Sequence, residues 1–444
     1  MVAEPGVAIN QRKAWTIVAL LFFYGVINFF DKLVLGLAAV PIMKELALTP
    51  AQYGLVASSF YWLYAVSGVL VGLLLVNRIK SKWLLILLVA IWSAAQAPIA
   101  FSSSLGALIA CRIVLGIGEG PGTPSAYDAC HSWFPSDRRN FPTAIIIQGT
   151  SVGFLVGAPI LTHVILGYGW RSAFLLCSGL GVLWIVAWLM FGENGPISVH
   201  SSPAVTSTSP TEPPVPWMEL WFDRTMIGNY IVGFGSYWII GLSIAWMAPY
   251  LQQGLGYDGK AIGWMISAMT AGQPPIILGI SYVSERMLRG GTSSRSARAI
   301  VNAACLILGG ASLAIAMSID AGGLAKVVLL AVGFLLPSIT FVLGPAMVSE
   351  IAPTSQRGTA LLVTYSVVTV AGFISPVVMG YALQSAGPQA LAAGYTNAFL
   401  ITAAVLVAAG SAGLLLLNPD VSKRRLRAVA RGDGAVLELA PRAA

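Results

Sequence analysis

Twelve stretches of roughly twenty or more mostly apolar residues run through the chain, near 15–39, 51–76, 83–101, 104–127, 141–166, 171–191, 225–251, 259–282, 298–318, 323–346, 358–382 and 394–417. A helix needs about 20 such residues to cross the hydrocarbon core of a bilayer. The strands of a membrane barrel would instead alternate over about ten. The chain therefore reads as an all-α membrane protein with twelve transmembrane helices. Composition agrees: 57% of the 444 residues are hydrophobic and only 9% are charged, against about 25% in soluble domains. So few charges cannot clothe a water-facing surface, which excludes a soluble enzyme or nucleic-acid binder. Disorder is excluded by the same apolar content, and the 47 glycines follow no three-residue period that would mark collagen.

The formal charge of +8 sits in short loops, where it orients the chain rather than recruiting nucleic acid. Nineteen of the 25 Lys and Arg residues fall on the side of the two termini, and only Lys44, Arg171, Lys260 and Lys326 on the other. That bias places both termini in the cytoplasm. Residues 1–14 form a polar N-terminal segment with no cleavable signal. A Pro-, Ser- and Thr-rich stretch at 192–224 reads as a flexible cytoplasmic linker. It separates six helices at 15–191 from six at 225–417. The tail, 418–444, opens on Lys423, Arg424, Arg425 and Arg427, a basic run suited to an anionic lipid surface. Cys111, Cys130, Cys177 and Cys305 are scattered without metal-ligand spacing, so no metal site and no disulfide framework is expected. The run of alternate glycines from Gly116 to Gly122 lacks a nucleotide-binding spacing and a preceding strand, and reads as close helix packing or a bend at Pro121.

The two halves echo each other. Asn77-Arg78 follows the second helix and Glu285-Arg286 the eighth. A six-helix unit used twice is a transporter architecture, with its substrate site expected near the midplane at the junction of the repeats.

Charges within the apolar helices are the most informative residues, because burying each costs at least about 2.5–3.5 kcal/mol on insertion scales. There are four, Asp31, Lys32, Arg112 and Glu119, all in the first half. At about 1.5 Å per residue, Asp31 and Arg112 lie at one depth, roughly 12 Å from the outer end of their helices. They are therefore expected to pair. Glu119, seven residues beyond Arg112, lies about 10 Å deeper on nearly the same face. Lys32, rotated about 100° from Asp31, is expected to point elsewhere, into the cavity. Buried carboxylates shift readily toward neutrality and so can carry protons.

These features resemble the major facilitator superfamily. Its loop signature Gly-x-x-x-Asp-Arg-x-x-x-Arg/Lys is approximated by Leu73, Asn77, Arg78 and Lys82, with Leu for Gly and Asn for Asp, and again by Ser284-Glu285-Arg286. Gly169-Trp170-Arg171-x-x-Phe174 matches the usual entry to its sixth helix. Within it, the chain is similar to the anion:cation symporter family, which includes sugar-acid and phthalate permeases. The match is carried by Asn28-Phe29-Phe30-Asp31-Lys32, by Arg112 and Glu119 ahead of Trp133-Phe134-Pro135, and by Gln148 with Gly149 and Gly153. The resemblance implies proton coupling through Asp31, Glu119 and Arg112, and an anion clamp at Lys32. It implies a pocket drawing on Tyr64 and Gln148, with Tyr61, Tyr237, Trp238, Tyr365 and Thr369 as further candidates. Asn77, Arg78, Glu285 and Arg286 would be gating-loop residues. Lys32 stands where the family usually has Arg, Phe29 where sugar-acid members tend to have Tyr, and Thr369 where they often have Asn, which points to a less hydroxylated anion. No catalytic set appears, so an enzyme is not expected. The implied function is a proton-coupled symporter importing a small organic carboxylate, with the proton as coupling ion and no cofactor. It would act as a monomer in the bacterial inner membrane, partnered by lipid and not by nucleic acid. The alternative is a proton-coupled exporter of drugs or metabolites, whose fifth-helix Gly-Pro motif is only approximated by Gly157-Ala158-Pro159.

Overall fold

A computed structural model describes residues 10–74, 78–135, 138–197, 213–319 and 323–431. They form helices throughout, as the bilayer demands: with no water to take up backbone polar groups, each segment must satisfy its own. The first half contains α1 (Gln11–Leu37), α2 (Ala39–Glu45), α3 (Pro50–Leu74), α4 (Ser81–Ile99), α5 (Leu105–Glu119), α6 (Gly122–His131), α7 (Asn140–Tyr168) and α8 (Trp170–Phe191). After the short α9 (Trp217–Trp221) come α10 (Arg224–Pro249), α11 (Gly259–Ala271), α12 (Gln273–Arg289), α13 (Val301–Ser318), α14 (Gly323–Leu335), α15 (Thr340–Ile351), α16 (Arg357–Ala386), α17 (Leu391–Leu416) and α18 (Pro419–Arg431).

Eleven helical segments among the described residues are long and apolar enough to cross a membrane. The twelfth expected stretch, 259–282, is instead the two shorter helices α11 and α12, broken at Gly272. Pro274 and Pro275 follow directly. They have no N–H to donate and their rings crowd the preceding turn, so a continuous helix cannot pass through them. Gly120 and Pro121 separate α5 from α6 in the same way.

The described residues group into two packed units. One takes in 10–197 with 244–271 and 376–392, and the other takes in 213–243, 272–375 and 393–431, counting the described residues alone. Segments 244–271 and 376–392 thus group with the first six helices. Within the first unit the reason is visible in hydrogen bonds. Tyr53 donates its hydroxyl toward the carbonyls of both Leu35 and Ala245, 3.1 Å each. Ser267 donates to Leu155 O at 2.6 Å, and the Trp246 indole to Pro376 O at 3.0 Å. The 244–271 and 376–392 segments are thus bound to the first six spans.

Packing in this unit relies on glycine at close backbone approaches. A Cβ at Gly116 would collide with the Phe60 carbonyl, and one at Gly149 with the Phe22 carbonyl, so α5 lies against α3 and α7 against α1. The alternate glycines serve helix packing, not a phosphate. The cysteines are unbridged.

The linker region is not uniformly loose. Its first residues bond to the loop after α6, through Gly195 N to Ser132 Oγ (2.9 Å) and Ile197 N to Ser132 O (3.0 Å). Its last residues bond to the second unit. Gln356 donates to Val215 O (2.7 Å) and accepts from Val215 N (2.9 Å).

A polar clasp closes the α1–α2 end of the first unit. Glu45 accepts from the Trp170 indole at 2.6 Å and pairs with Arg171, whose guanidinium stacks 4.2 Å over the Trp170 ring. The indole hydrogen bond, then Arg171, hold the exposed Glu45 carboxyl below its ordinary value. A depressed folded-state pKa contributes stability above the unfolded value, which is lost as pH falls through the folded one. Acidification through the carboxylate range is therefore expected to lower the melting temperature of wild type more than that of Glu45→Gln. Parallel melting curves for the two proteins would remove Glu45 as an acid-sensitive clasp.

Candidate functional site

The four membrane charges come together in the first unit. α1 supplies Asp31 and Lys32, and α5 supplies Arg112 and Glu119. Asp31, Arg112 and Glu119 are 0–2% exposed. Their pairing is not the one expected from depth. Lys32 Nζ lies 2.6 Å from Glu119 Oε2, with side chains 12% and 0% exposed. The contact is an ion pair by distance, although its angle is not that of a hydrogen bond, and both Glu119 oxygens lack a hydrogen-bond donor among the described residues. Lys32 also donates to Asn28 Oδ1, one turn back on α1.

The expected Asp31–Arg112 ion pair does not form. Asp31 accepts instead from Gln96 Nε2 of α4 at 2.7 Å, with the Cys177 thiol of α8 beside it. The two residues share a depth, but depth does not set the rotation of α1. With α1 seated on α7 through Gly149, position 31 turns toward α4 and α8, and position 32 toward α5.

Arg112 is held by an aromatic ring. Its guanidinium sits 4.9 Å from the Phe60 ring centre, and its Nε and Nη1 have no hydrogen-bond partner among the described residues. The same ring lies 5.9 Å from Lys32 Nζ, and Phe29 lies 4.9 Å from it. Phe60 therefore serves both cations, since an aromatic face attracts positive charge. Gln96, Phe60 and Cys177 escaped the sequence reading. A glutamine or an aromatic in an apolar run is unremarkable until its neighbour is known, though Gln96 was open to the argument that a buried amide needs a partner.

The remaining candidates fall in different surroundings. Tyr64 is buried and Tyr61 half-buried, their rings lie 6.3 Å apart, and both pack on the Phe60 ring near the middle of α3. Gln148 is exposed on α7. In the second unit Tyr237 is buried, with Phe341 and Tyr365 edge-on to it, each with a ring separation of 6.1 Å, and Tyr365 is 44% exposed. Trp238 is tied to Thr402 Oγ1 at 3.2 Å, and Thr369 donates to its own helix at Ser366 O, 2.8 Å. The donors of both polar tips are thus already engaged. Of the gating-loop candidates, Asn77 lies outside the described residues and Arg78 is exposed. Glu285 pairs at 2.6 Å with Arg289, one turn on, rather than with Arg286. No group of three or more His, Cys, Asp or Glu able to hold a metal occurs among the described residues.

Buried carboxylates facing buried cations in a bundle of spanning helices are the equipment of a transporter. The sequence profile of the Major Facilitator Superfamily matches residues 21–376 and 231–441. This chain belongs to the Major Facilitator Superfamily. It is a multi-pass membrane transporter, as its relatives are, and not an enzyme. A hexuronate transporter of Bacillus subtilis is 25% identical, with 92% of this chain and 95% of the relative covered. A probable sulfoacetate transporter of Cupriavidus necator is 28% identical over 91% and 93%. Among solved structures, a bacterial homologue of the human lysosomal transporter Spinster superposes with a TM-score of 0.81 at 16% identity, covering 93% of this chain and 99% of that one. A D-xylose–proton symporter superposes with a TM-score of 0.72 at 14% identity, over 92% and 99%. These likenesses establish the fold.

The observed pairing makes a quantitative prediction. Removing one partner of a buried pair typically costs about 3–5 kcal/mol, because the other is left bare. Lys32→Gln is expected to destabilise by about that much, and adding Glu119→Gln to recover much of the loss. A double-mutant cycle on 32 and 119 should therefore show strong coupling, and one on 31 and 112 weak coupling. Stronger coupling between 31 and 112, measured by thermal melting in detergent, would contradict this arrangement.

Proposed function

We propose that this protein is a proton-coupled symporter that imports a small organic carboxylate across a bacterial inner membrane by alternating access, with both termini cytoplasmic. The observation that carries the reading is the Lys32–Glu119 pair beside a second buried carboxylate, Asp31. When Glu119 is ionised it occupies Lys32. A proton on Glu119 removes that negative charge and frees the ammonium for a substrate carboxylate, and loss of the proton lets Glu119 reclaim Lys32 and expel the anion. Proton and substrate then enter together because each removes the reason for the other to stay away. Asp31 is assigned as a second proton site. Arg112, with Nε and Nη1 unbonded over Phe60, is assigned as the cation that balances the site while Lys32 changes partners, in place of its expected role as partner to Asp31.

Tyr61, Tyr64 and Gln148 are the wall candidates of the first half, and Tyr237 and Tyr365 those of the second. Phe29 and Phe60 against Lys32 make the surroundings of the clamp apolar, which supports a carboxylate with few hydroxyls. The names of the relatives, a hexuronate and a sulfoacetate transporter, support an organic anion and do not favour the exporter of drugs.

The test is accumulation in proteoliposomes against a panel of uronates, sulfoacetate, benzoate and short aliphatic acids, with and without a protonophore. One acid should accumulate under an inward proton gradient and be lost on collapsing it. Glu119→Gln, which mimics the protonated form, should abolish accumulation while leaving counterflow measurable. Lys32→Gln should weaken binding of that acid about ten- to a hundredfold, the worth of a charge-assisted hydrogen bond of about 1.5–3 kcal/mol. Gradient-driven accumulation by Glu119→Gln at the wild-type level would overturn the coupling scheme.

A further inference from the structure

α1 crosses the first unit once from the N-terminal side, so α2 and the loop to α3 stand at the opposite end. There the unit holds a cavity of about 540 Å³, within the size range of small-molecule sites, roughly 300–1,000 Å³. Its wall is drawn from the α2–α3 region, the end of α10, the end of α16 and the start of α17, all within that one unit. The four membrane charges take no part in it.

The local sequence explains how a cation comes to face this space. Lys44 lies in the last turn of α2. The helix stops because Ala47 takes a left-handed φ of 50°, which lets Leu48 N reach back to Met43 O at 3.0 Å. Helices usually give that position to glycine, and Ala47 is the only non-glycine residue with positive φ among those described. Strain of this kind gathers at ligand sites. The turn sets Lys44 and Leu48 on one wall. Glu45, about 100° further round the helix, is engaged instead by Trp170 and Arg171. Lys44 is left exposed, with no acidic partner among the described residues, and is the one charged side chain that they bring to the wall. Gln384 adds an exposed amide. The rest of the wall is mostly apolar, and it is held in place. The Trp246 ring packs edge-on to Tyr53 at a ring separation of 4.9 Å, and its indole donates to Pro376 O at 3.0 Å. α16 lies so near the start of α3 that a Cβ at Gly380 would collide with the Pro50 carbonyl.

We propose that this cavity is a second binding site, for a carboxylate with an apolar body, with its oxygens on Lys44 and its body against Leu48, Trp246 and Leu383. Charge complementarity selects the occupant: an unpaired ammonium calls for an anion, and an apolar wall disfavours a heavily hydroxylated one because its hydroxyls would lose water without gaining partners. In the importer reading this face is the outer one, so the site gathers substrate ahead of the Lys32 clamp. The choice of a carboxylate rests on that reading, whereas the cavity and its cation do not.

The experiment photolabels the purified full chain in detergent with a trifluoromethyldiazirine derivative of benzoate and maps the labelled peptides by mass spectrometry. Label is expected in segment 383–391, which lines the cavity and contains no lysine. Benzoate should block it, glucuronate should block it more weakly, and benzamide, of the same shape but uncharged, should not. Lys44→Gln should lower the labelling of 383–391 about tenfold, the low end for a hydrogen bond to a charged group, and Lys44→Arg should restore it. Both variants should melt like wild type, because Lys44 has no partner to lose. Labelling needs no transport, so a failure to accumulate any acid would sink the symporter while leaving this result readable. No label in 383–391, undiminished label in Lys44→Gln, equal protection by benzamide, or protection by phosphatidylglycerol and not by benzoate overturns the proposal.

Discussion

The pair between Lys32 and Glu119 is the interaction on which the first unit is arranged. An ammonium and a carboxylate inside a bilayer are each costly alone, and only close opposition makes them tolerable together. That opposition requires α1 and α5 to be placed to within an ångström or so. The requirement is met by residues with no charge at all. Glycines at 116 and 149 let α5 approach α3 and α7 approach α1 at backbone distance, so packing sets the separation at which the charges meet. A transporter must also be able to undo such a pair, and in the proposed scheme a proton on Glu119 does so.

Asp31 and Arg112 show two other ways of lodging a charged group in an apolar bundle. Asp31 has an amide donor in Gln96 and a thiol neighbour in Cys177. Arg112 has an aromatic face and two nitrogens without hydrogen bonds among the described residues. Neither solution is complete, since Asp31 Oδ2 also lacks a hydrogen-bond partner among the described residues, and a buried polar atom left bare is costly.

The surface side of the second unit follows the opposite logic. There, water and headgroups are at hand, and charges are plentiful and paired: Arg425 with Glu219 and Asp223, Arg298 with Glu350. Individually such exposed pairs contribute little. As a network around a small apolar cluster they hold both the end of the linker and the start of the tail against the spanning helices. A stretch that composition reads as loose is thereby ordered at both its ends, by Ser132 on one side and Gln356 on the other.

Much of this was legible in the chain itself. Hydropathy marks the spans because the bilayer imposes one length on every segment. The four charges at 31, 32, 112 and 119 stand out because that medium makes any charge exceptional. The glycine run from 116 to 122 reads correctly as packing, because no strand precedes it. What the chain alone determined was thus membership and depth: which residues lie in the membrane, and how far in. Rotation was decided only in three dimensions. Neighbouring positions on a helix differ by about 100°, so rotating α1 by that angle about its axis changes which of Asp31 and Lys32 faces a given neighbour without altering the depth of either. That angle is set by Phe22 and Val26 lying on the glycines of α7, a contact between segments more than a hundred residues apart. The same holds at the surface, where which residues of α18 face the protein is decided by where Leu426 finds its apolar cluster.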